Sequence, residues 1–223
     1  MYKKYFLPLF FFAVFFLILI FALHPLTLAQ GAWQGPAVGL FVIVSLGAYL
    51  LLGLRARDNP STKIIIILGY VMGLLWITEI LAGNLDLHLH GAFLDIFYFT
   101  PIFLVLVVNI FVGALVAVQQ QNFSAGVRAG TQSGLLSGLL ALGTLAALIV
   151  FTLPIQVSNP QNIDQFLRSH TADLAAFISQ DYIFAGASHL WIGLLGGLIS
   201  GGFGAALGKY FIHRRNRPKS ISN

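Results

Sequence analysis

Uncharged apolar residues fill long stretches of the chain, and charged residues interrupt them only at wide intervals. No Asp, Glu, Lys or Arg occurs from Tyr5 to Leu54, and further uncharged runs cover Ile96–Val127, Ala129–Ile163 and Tyr182–Gly208. A membrane-spanning helix needs about 20 apolar residues. The first run is long enough for two spans, and each later run is long enough for one. Because the runs are continuous rather than alternating, they predict helices and not barrel strands.

The pattern predicts an all-α fold, a polytopic membrane protein built as a bundle of six transmembrane helices. Turn residues such as Asp58-Asn59-Pro60 separate the spans. In the largest loop, apolar residues recur at helical spacing, which predicts an amphipathic helix on the outer membrane face. The whole chain is one transmembrane domain, 1–223, with spans at about 6–23, 33–54, 64–82, 96–118, 131–153 and 183–210, the amphipathic helix at about 161–179 and a basic inner tail at 211–223.

Composition agrees with this assignment and removes several classes of function. Hydrophobic residues make up 58% of the 223 residues and charged residues 9%, whereas a soluble domain carries about 25% charged residues. The absence of cysteine excludes disulfides, Cys-ligated metals and thiol nucleophiles. No catalytic constellation can be assembled from the motifs, so an enzyme is the least favoured class. No cofactor is expected, with a divalent metal as the one candidate exception.

The distribution of basic residues predicts the orientation. Of the 12 Lys and Arg residues, all but Arg168 fall in segments that share one side of a six-span bundle. The positive-inside rule then predicts that both termini are cytoplasmic, and the prokaryotic plasma membrane is the expected location. The net charge of +5 follows from this topology, so no nucleic-acid partner is expected. As an alternative, the first apolar segment resembles a signal peptide cleaved before Gln30, which would place the new N-terminus outside.

Small residues recur at four-residue spacing in the fifth and sixth predicted spans. Such rows allow helix backbones to approach closely in lipid, where no hydrophobic force drives helices together. We therefore expect the two spans to form a close antiparallel pair. The helix-packing positions are Gly130, Gly134 and Gly138 in the fifth span and Gly193, Gly197 and Gly201 in the sixth.

Polar residues inside the spans are few, and each is a candidate for function because ionisable groups are costly in lipid. Glu79 lies near the outer end of the third span and His189 a turn or two inside the sixth. Their similar depth makes them a candidate buried polar pair. Asn109, in the fourth span, is a candidate polar contact at the membrane midplane.

The loop after the third span contains a candidate metal site. In an extended conformation, alternation would place Asp86, His88 and His90 on one side and the intervening leucines on the other. Two imidazoles and a carboxylate suit Zn²⁺ or another divalent cation.

Two functions follow from these features as hypotheses. The first is a transport or carrier role for a small molecule or ion, which enters from the outside through the polar site. The alternative is a structural or assembly subunit of a membrane complex that packs through its Gly-rich helices. The lipid bilayer is the expected partner, together with a second copy of the chain or other membrane subunits.

Overall fold

The protein consists of α-helices joined by short links. The computed structural model describes residues 1–29, 34–84, 92–169 and 171–215, with residues 92–95, 97, 98, 214 and 215 described for the backbone alone. No strand occurs within these ranges. The helices are α1 (Tyr2–Leu23), α2 (Gln34–Arg55), α3 (Thr62–Asn84), α4 (Ala92–Gln120), α5 (Phe123–Gln156), α6 (Pro160–Ser169) and α7 (Leu174–Arg215), and a 3-10 turn covers Pro25–Leu28.

Every helix except α6 is long and apolar enough to span a membrane. The predicted all-α membrane fold with six spans is therefore confirmed. One boundary differs in α5, which begins at Phe123 rather than near residue 131. The reason is local: the side chain of Asn122 accepts a hydrogen bond from the backbone N–H of Ala125 at 3.3 Å and caps the helix.

Contacts between helix ends establish that successive spans run in opposite directions. The backbone N–H of Tyr2 donates to Asp58 Oδ1 at 2.8 Å, and the Tyr2 hydroxyl donates to the carbonyl oxygen of Gln132 at 2.7 Å. These residues lie at one end of the bundle, with Lys63 and Arg128, and we call it the basic end. At the other end, which we call the acidic end, Gln156 donates to the carbonyl oxygen of Asn84 at 3.0 Å. The end of α4 meets Ser61 at the basic end through Gln119 and Gln120, and the pairing of glycines places α7 antiparallel to α5. The bundle thus alternates up and down.

Helix α5 is the centre of the bundle. In its most apolar stretch of 18 residues 67% are buried, against 22% in α2. Helices α1, α3, α4 and α7 all pack on it. Helix α1 packs against the bundle through one face, because its buried residues recur every three or four positions. They are Tyr2, Phe6, Phe10, Ala13, Leu17 and Ile20.

The first loop after α1 is packed into the bundle. Thr27, within the 3-10 turn, is fully buried, and the side chain of Gln180 on α7 donates to its carbonyl oxygen. This contact joins the loop after α1 to the last span.

The predicted amphipathic helix at 161–179 is wrong as a single element. Helix α6 ends at Ser169, and a new helix, α7, begins at Leu174 and continues through the membrane. Asp173 explains the division, because its carboxylate accepts a hydrogen bond from the backbone N–H of Ala176 at 2.7 Å. Residues 174–179 therefore belong to the last span, which starts well before the predicted residue 183.

Helices α5 and α7 run side by side at the distance that glycine permits. A Cβ atom built on Gly193 would lie 2.6 Å from the carbonyl oxygen of Gly134, and one on Gly201 would lie 2.7 Å from Cα of Gly130. One on Gly130 would lie 2.5 Å from the carbonyl oxygen of Gly197. Carbon atoms do not approach backbone atoms so closely, so any larger residue must separate the helices.

Candidate functional site

An acid and a base meet between α3 and α7 near the acidic end. Nε2 of His189 lies 3.6 Å from Oε2 of Glu79, and the side chains are 15% and 9% exposed, respectively. Both helices pack against α4 and α5, so the pair connects two elements on the same core. The structure therefore brings together the two ionisable residues that the sequence placed at similar depth.

The second ring nitrogen of His189 determines where a proton must be. Nδ1 lies 2.8 Å from the carbonyl oxygen of Ala185, one turn earlier on α7. A carbonyl can only accept, so Nδ1 carries a hydrogen and Nε2 faces Glu79. If the imidazole is neutral, Nε2 can only accept, so a hydrogen bond between the two side chains needs a protonated carboxyl. If the imidazole is protonated, the carboxylate accepts from it. At 3.6 Å the two atoms are beyond hydrogen-bond distance, so a proton shared between them requires a closer approach of the two side chains.

Trp76 completes the wall of the site. It lies one turn before Glu79 on α3, and its ring meets the His189 ring edge to face, with centroids 5.0 Å apart. Trp76 is 3% exposed. Among the described residues, its Nε1 and Oε2 of Glu79 are buried polar atoms without a hydrogen-bond partner. Leaving such atoms unsatisfied costs about 1–3 kcal/mol each, so the site holds an unused donor and an unused acceptor.

The residues that follow His189 tie α7 to α2. The Tyr49 hydroxyl donates to the carbonyl oxygen of Leu190, and Nε1 of Trp191 donates to Oγ of Ser45 at 2.8 Å. Ser45 and Tyr49 are four residues apart and therefore share one face of α2. These two hydrogen bonds fix the rotation and height of α7 where it presents His189.

A glycine on α5 makes room for this arrangement. A Cβ atom on Gly138 would lie 3.2 Å from the carbonyl oxygen of His189 and 2.5 Å from the Tyr49 hydroxyl. A larger residue would therefore collide with both the backbone of α7 and its link to α2. Gly138 thus acts on the position of the pair as well as on the packing of the two helices.

Asn109 lies in a separate contact between α4 and α5. It is 1% exposed, and Oδ1 is 3.2 Å from the hydroxyl of Ser133. The same hydroxyl is 2.9 Å from the carbonyl oxygen of Gly130, so its single hydrogen is shared between two acceptors. The geometry is that of a polar link between helices, away from the contact between Glu79 and His189.

The candidate metal ligands Asp86, His88 and His90 lie outside the described residues. Among the residues that the structure describes, no group of three or more His, Cys, Asp or Glu side chains could hold a metal ion. The divalent-metal site in the loop between α3 and α4 stays a prediction.

Two residues of the site could have been found from the sequence but were not. Trp76 precedes Glu79 by three positions, and Tyr49 follows Ser45 by four, so each shares a helix face with a polar residue of interest. A search for aromatic groups with polar tips at these spacings would have identified both.

Comparison with known proteins assigns no family to the chain. A search of protein families, of curated proteins and of solved structures finds no match. The function is therefore inferred from the contacts within the chain itself.

Proposed function

We propose that the protein is a membrane carrier for a small molecule or ion, and that the Glu79–His189 pair is its proton-binding site. The observation that supports this proposal is the separation of 3.6 Å between Nε2 and Oε2 within a largely buried contact between two spans. A proton shared between these two atoms would make the contact between the helices sensitive to protonation. A carrier that uses a proton gradient needs such an element.

The cost of the pair supports a functional role over a purely structural one. Translocon-insertion scales give about 2.5–3.5 kcal/mol for a charged residue at the centre of a spanning helix, and Glu79, five residues before the end of α3, costs less than this. Apolar residues of similar volume often replace a buried ion pair with no loss of stability. A buried acid–base pair that apolar residues could replace without loss of stability is expected where its protonation is used.

The tautomer of His189 links the protonation of the pair to the contact between α3 and α7. With one proton in the gap, Glu79 and His189 attract each other and connect α3 to α7. Without it, two acceptors face each other and the contact becomes repulsive. Loss of the proton therefore favours separation of the two helices at the acidic end. Trp76 Nε1 and Glu79 Oε2 then offer one donor and one acceptor to a polar ligand.

The orientation belongs to the same proposal. The basic end carries most of the Lys and Arg residues and is assigned to the cytoplasm by the positive-inside rule. The acidic end, with Glu79 and His189, then faces outside. On this assignment both termini are cytoplasmic and the membrane is a prokaryotic plasma membrane.

An assembly role is the less supported proposal. It requires Gly-rich faces that need a partner, whereas the rows on α5 and α7 meet each other within the chain. A further small residue of α7, Gly208, faces α4, since its Cβ would lie 2.7 Å from the carbonyl oxygen of Ala114. These glycines therefore have their neighbours without a second protein.

Proton movement in proteoliposomes tests the carrier proposal. The purified chain is reconstituted with a pH-sensitive dye inside, and a K⁺ diffusion potential is applied with valinomycin. We expect potential-driven acidification that is lost in Glu79→Gln and in His189→Gln. Thr78→Val, a change in a lipid-exposed neighbour on the same helix, is the matched control and should retain it.

Equal proton movement in wild type, Glu79→Gln and protein-free vesicles would overturn the proposal. Thermal unfolding of each variant in detergent shows whether a loss of transport arises from loss of the fold. A variant that unfolds like wild type and fails to move protons supports the role of the pair.

A further inference from the structure

A cavity of about 580 Å³ opens at the basic end, between the last turn of α2, the link to α3 and the first turns of α5. It lies at the opposite end of the bundle from Glu79 and His189 and takes no part in the proposed carrier site. Its polar lining includes Arg55, Arg57, Arg128, Gln120 and Gln132.

The charge of the cavity is strongly positive. Within the described residues, none of its three arginines forms an ion pair with a carboxylate. Asp58, the carboxylate among the lining residues, already accepts hydrogen bonds from the amino group of Met1 and the backbone N–H of Tyr2. The guanidinium groups are therefore free to bind an anion, and their fork geometry suits a phosphate.

The side chain of Gln132 indicates a second property of a ligand that would fit the cavity. It is 7% exposed, and its Nε2 donates to the carbonyl oxygen of Arg57 at 3.4 Å. Its Oε1 is buried and has no hydrogen-bond partner in the described part of the chain. Buried acceptors are rarely left unsatisfied. An occupant of the cavity should therefore carry a donor, such as a hydroxyl, as well as the anionic group.

Apolar residues form the rest of the wall. Leu52 on α2 and Leu198 on α7 are exposed side chains of membrane-spanning helices, and Leu135 of α5 lies buried behind them. The cavity thus joins a basic floor at the helix ends to an apolar surface that faces lipid. This combination fits a molecule with an anionic head and a hydrocarbon tail.

We propose that the cavity binds an anionic glycerophospholipid whose head group carries a free hydroxyl. The phosphodiester contacts the arginines, the hydroxyl donates to Oε1 of Gln132, and an acyl chain lies along Leu52 and Leu198. The bound lipid connects α2, the least buried span, to α5 and α7. It therefore stabilises the bundle at the basic end.

Thermal unfolding of the full chain in detergent with added lipid tests this proposal. Phosphatidylglycerol should raise the unfolding midpoint in a concentration-dependent manner. The double variant Arg55→Gln with Arg128→Gln should weaken the apparent affinity by about fivefold for each arginine removed. The matched control is Lys4→Gln with Lys63→Gln, which removes the same charge at the same end outside the cavity and should bind like wild type.

Three comparisons test the specificity of the lipid site. Phosphatidylmethanol has the same charge without the hydroxyl, and weaker binding than phosphatidylglycerol supports the contact with Gln132. Equal losses in the arginine and lysine variants would show diffuse attraction and overturn the site. Equal stabilisation by glycerol 1-phosphate would show a site for a soluble phosphate and overturn the lipid.

Discussion

The hydroxyl of Tyr49 on α2 donates a hydrogen bond to the carbonyl oxygen of Leu190 on α7, the residue that follows His189. Tyr49 is 1% exposed. A side chain from a peripheral helix therefore fixes the backbone that presents the imidazole to Glu79.

Removal of this hydroxyl should loosen the site without disturbing the core. We expect Tyr49→Phe to lower the free energy of unfolding by about 0.5–1.5 kcal/mol, the usual net contribution of one hydrogen bond. The control is Tyr210→Phe, because Tyr210 is 59% exposed and should be neutral. Chemical denaturation of both variants in detergent provides the comparison, and equal stability would contradict a positioning role for Tyr49.

Replacement of both Glu79 and His189 should abolish activity while largely preserving the stability of the fold. Either single change, Glu79→Met or His189→Leu, leaves one ionisable group buried without its partner and should destabilise the fold. The double variant should recover most of that loss and yet remain inactive in proton transport. A double-mutant cycle measures the coupling, for which residues in contact give about 0.5–3 kcal/mol. Additive single effects would show that the two side chains do not interact.

The close approach of α5 and α7 predicts a contrast between adjacent glycines. Gly197→Ala should destabilise the fold by about 1–3 kcal/mol, because the new methyl group collides with the backbone of Gly130. Gly196→Ala should be neutral or stabilising by up to about 1 kcal/mol, since its Cβ meets nothing within 4 Å and alanine favours a helix. Thermal unfolding of the two variants provides the measurement, and similar behaviour would mean that the helices are further apart.

Asp58 makes the basic end sensitive to acid. Hydrogen bonds from the amino group of Met1 and from the backbone N–H of Tyr2 hold the pKa of its carboxyl below the ordinary value. A lowered folded-state pKa gives stability that is present above about pH 4, the unfolded value, and is lost as the pH falls through the folded pKa. Unfolding curves from about pH 6 to about pH 3 should therefore show a larger loss for wild type than for Asp58→Asn. Parallel losses would exclude this contribution.

The fold could be predicted from the sequence because lipid leaves few choices for a continuous apolar chain. Long uncharged runs must form helices to satisfy their backbone groups. The ends of the helices were harder to predict, because they depend on single hydrogen bonds such as those accepted by Asn122 and Asp173. Hydropathy does not register these contacts, so α5 and α7 both begin earlier than predicted.

The sequence predicted how deep in the membrane the candidate site lies, but not which groups surround it. Counting residues along the helices placed Glu79 and His189 at a similar level. Which groups surround them depends on the rotation of each helix about its axis, and the sequence gives no direct measure of it. The contacts of Trp76 and Tyr49 follow from that rotation, which Gly138 permits by its lack of a side chain.

Infrared difference spectroscopy tests most directly whether Glu79 and His189 share one proton. Spectra of the protein in lipid, recorded across a pH titration, report the C=O stretch of a protonated carboxyl group. We expect a titrating band that disappears in Glu79→Gln and whose midpoint changes in His189→Gln, while Asp58→Asn leaves it in place. A carboxyl band assigned to Glu79 that titrates identically with and without His189 would contradict the shared proton, and with it the proposed carrier site.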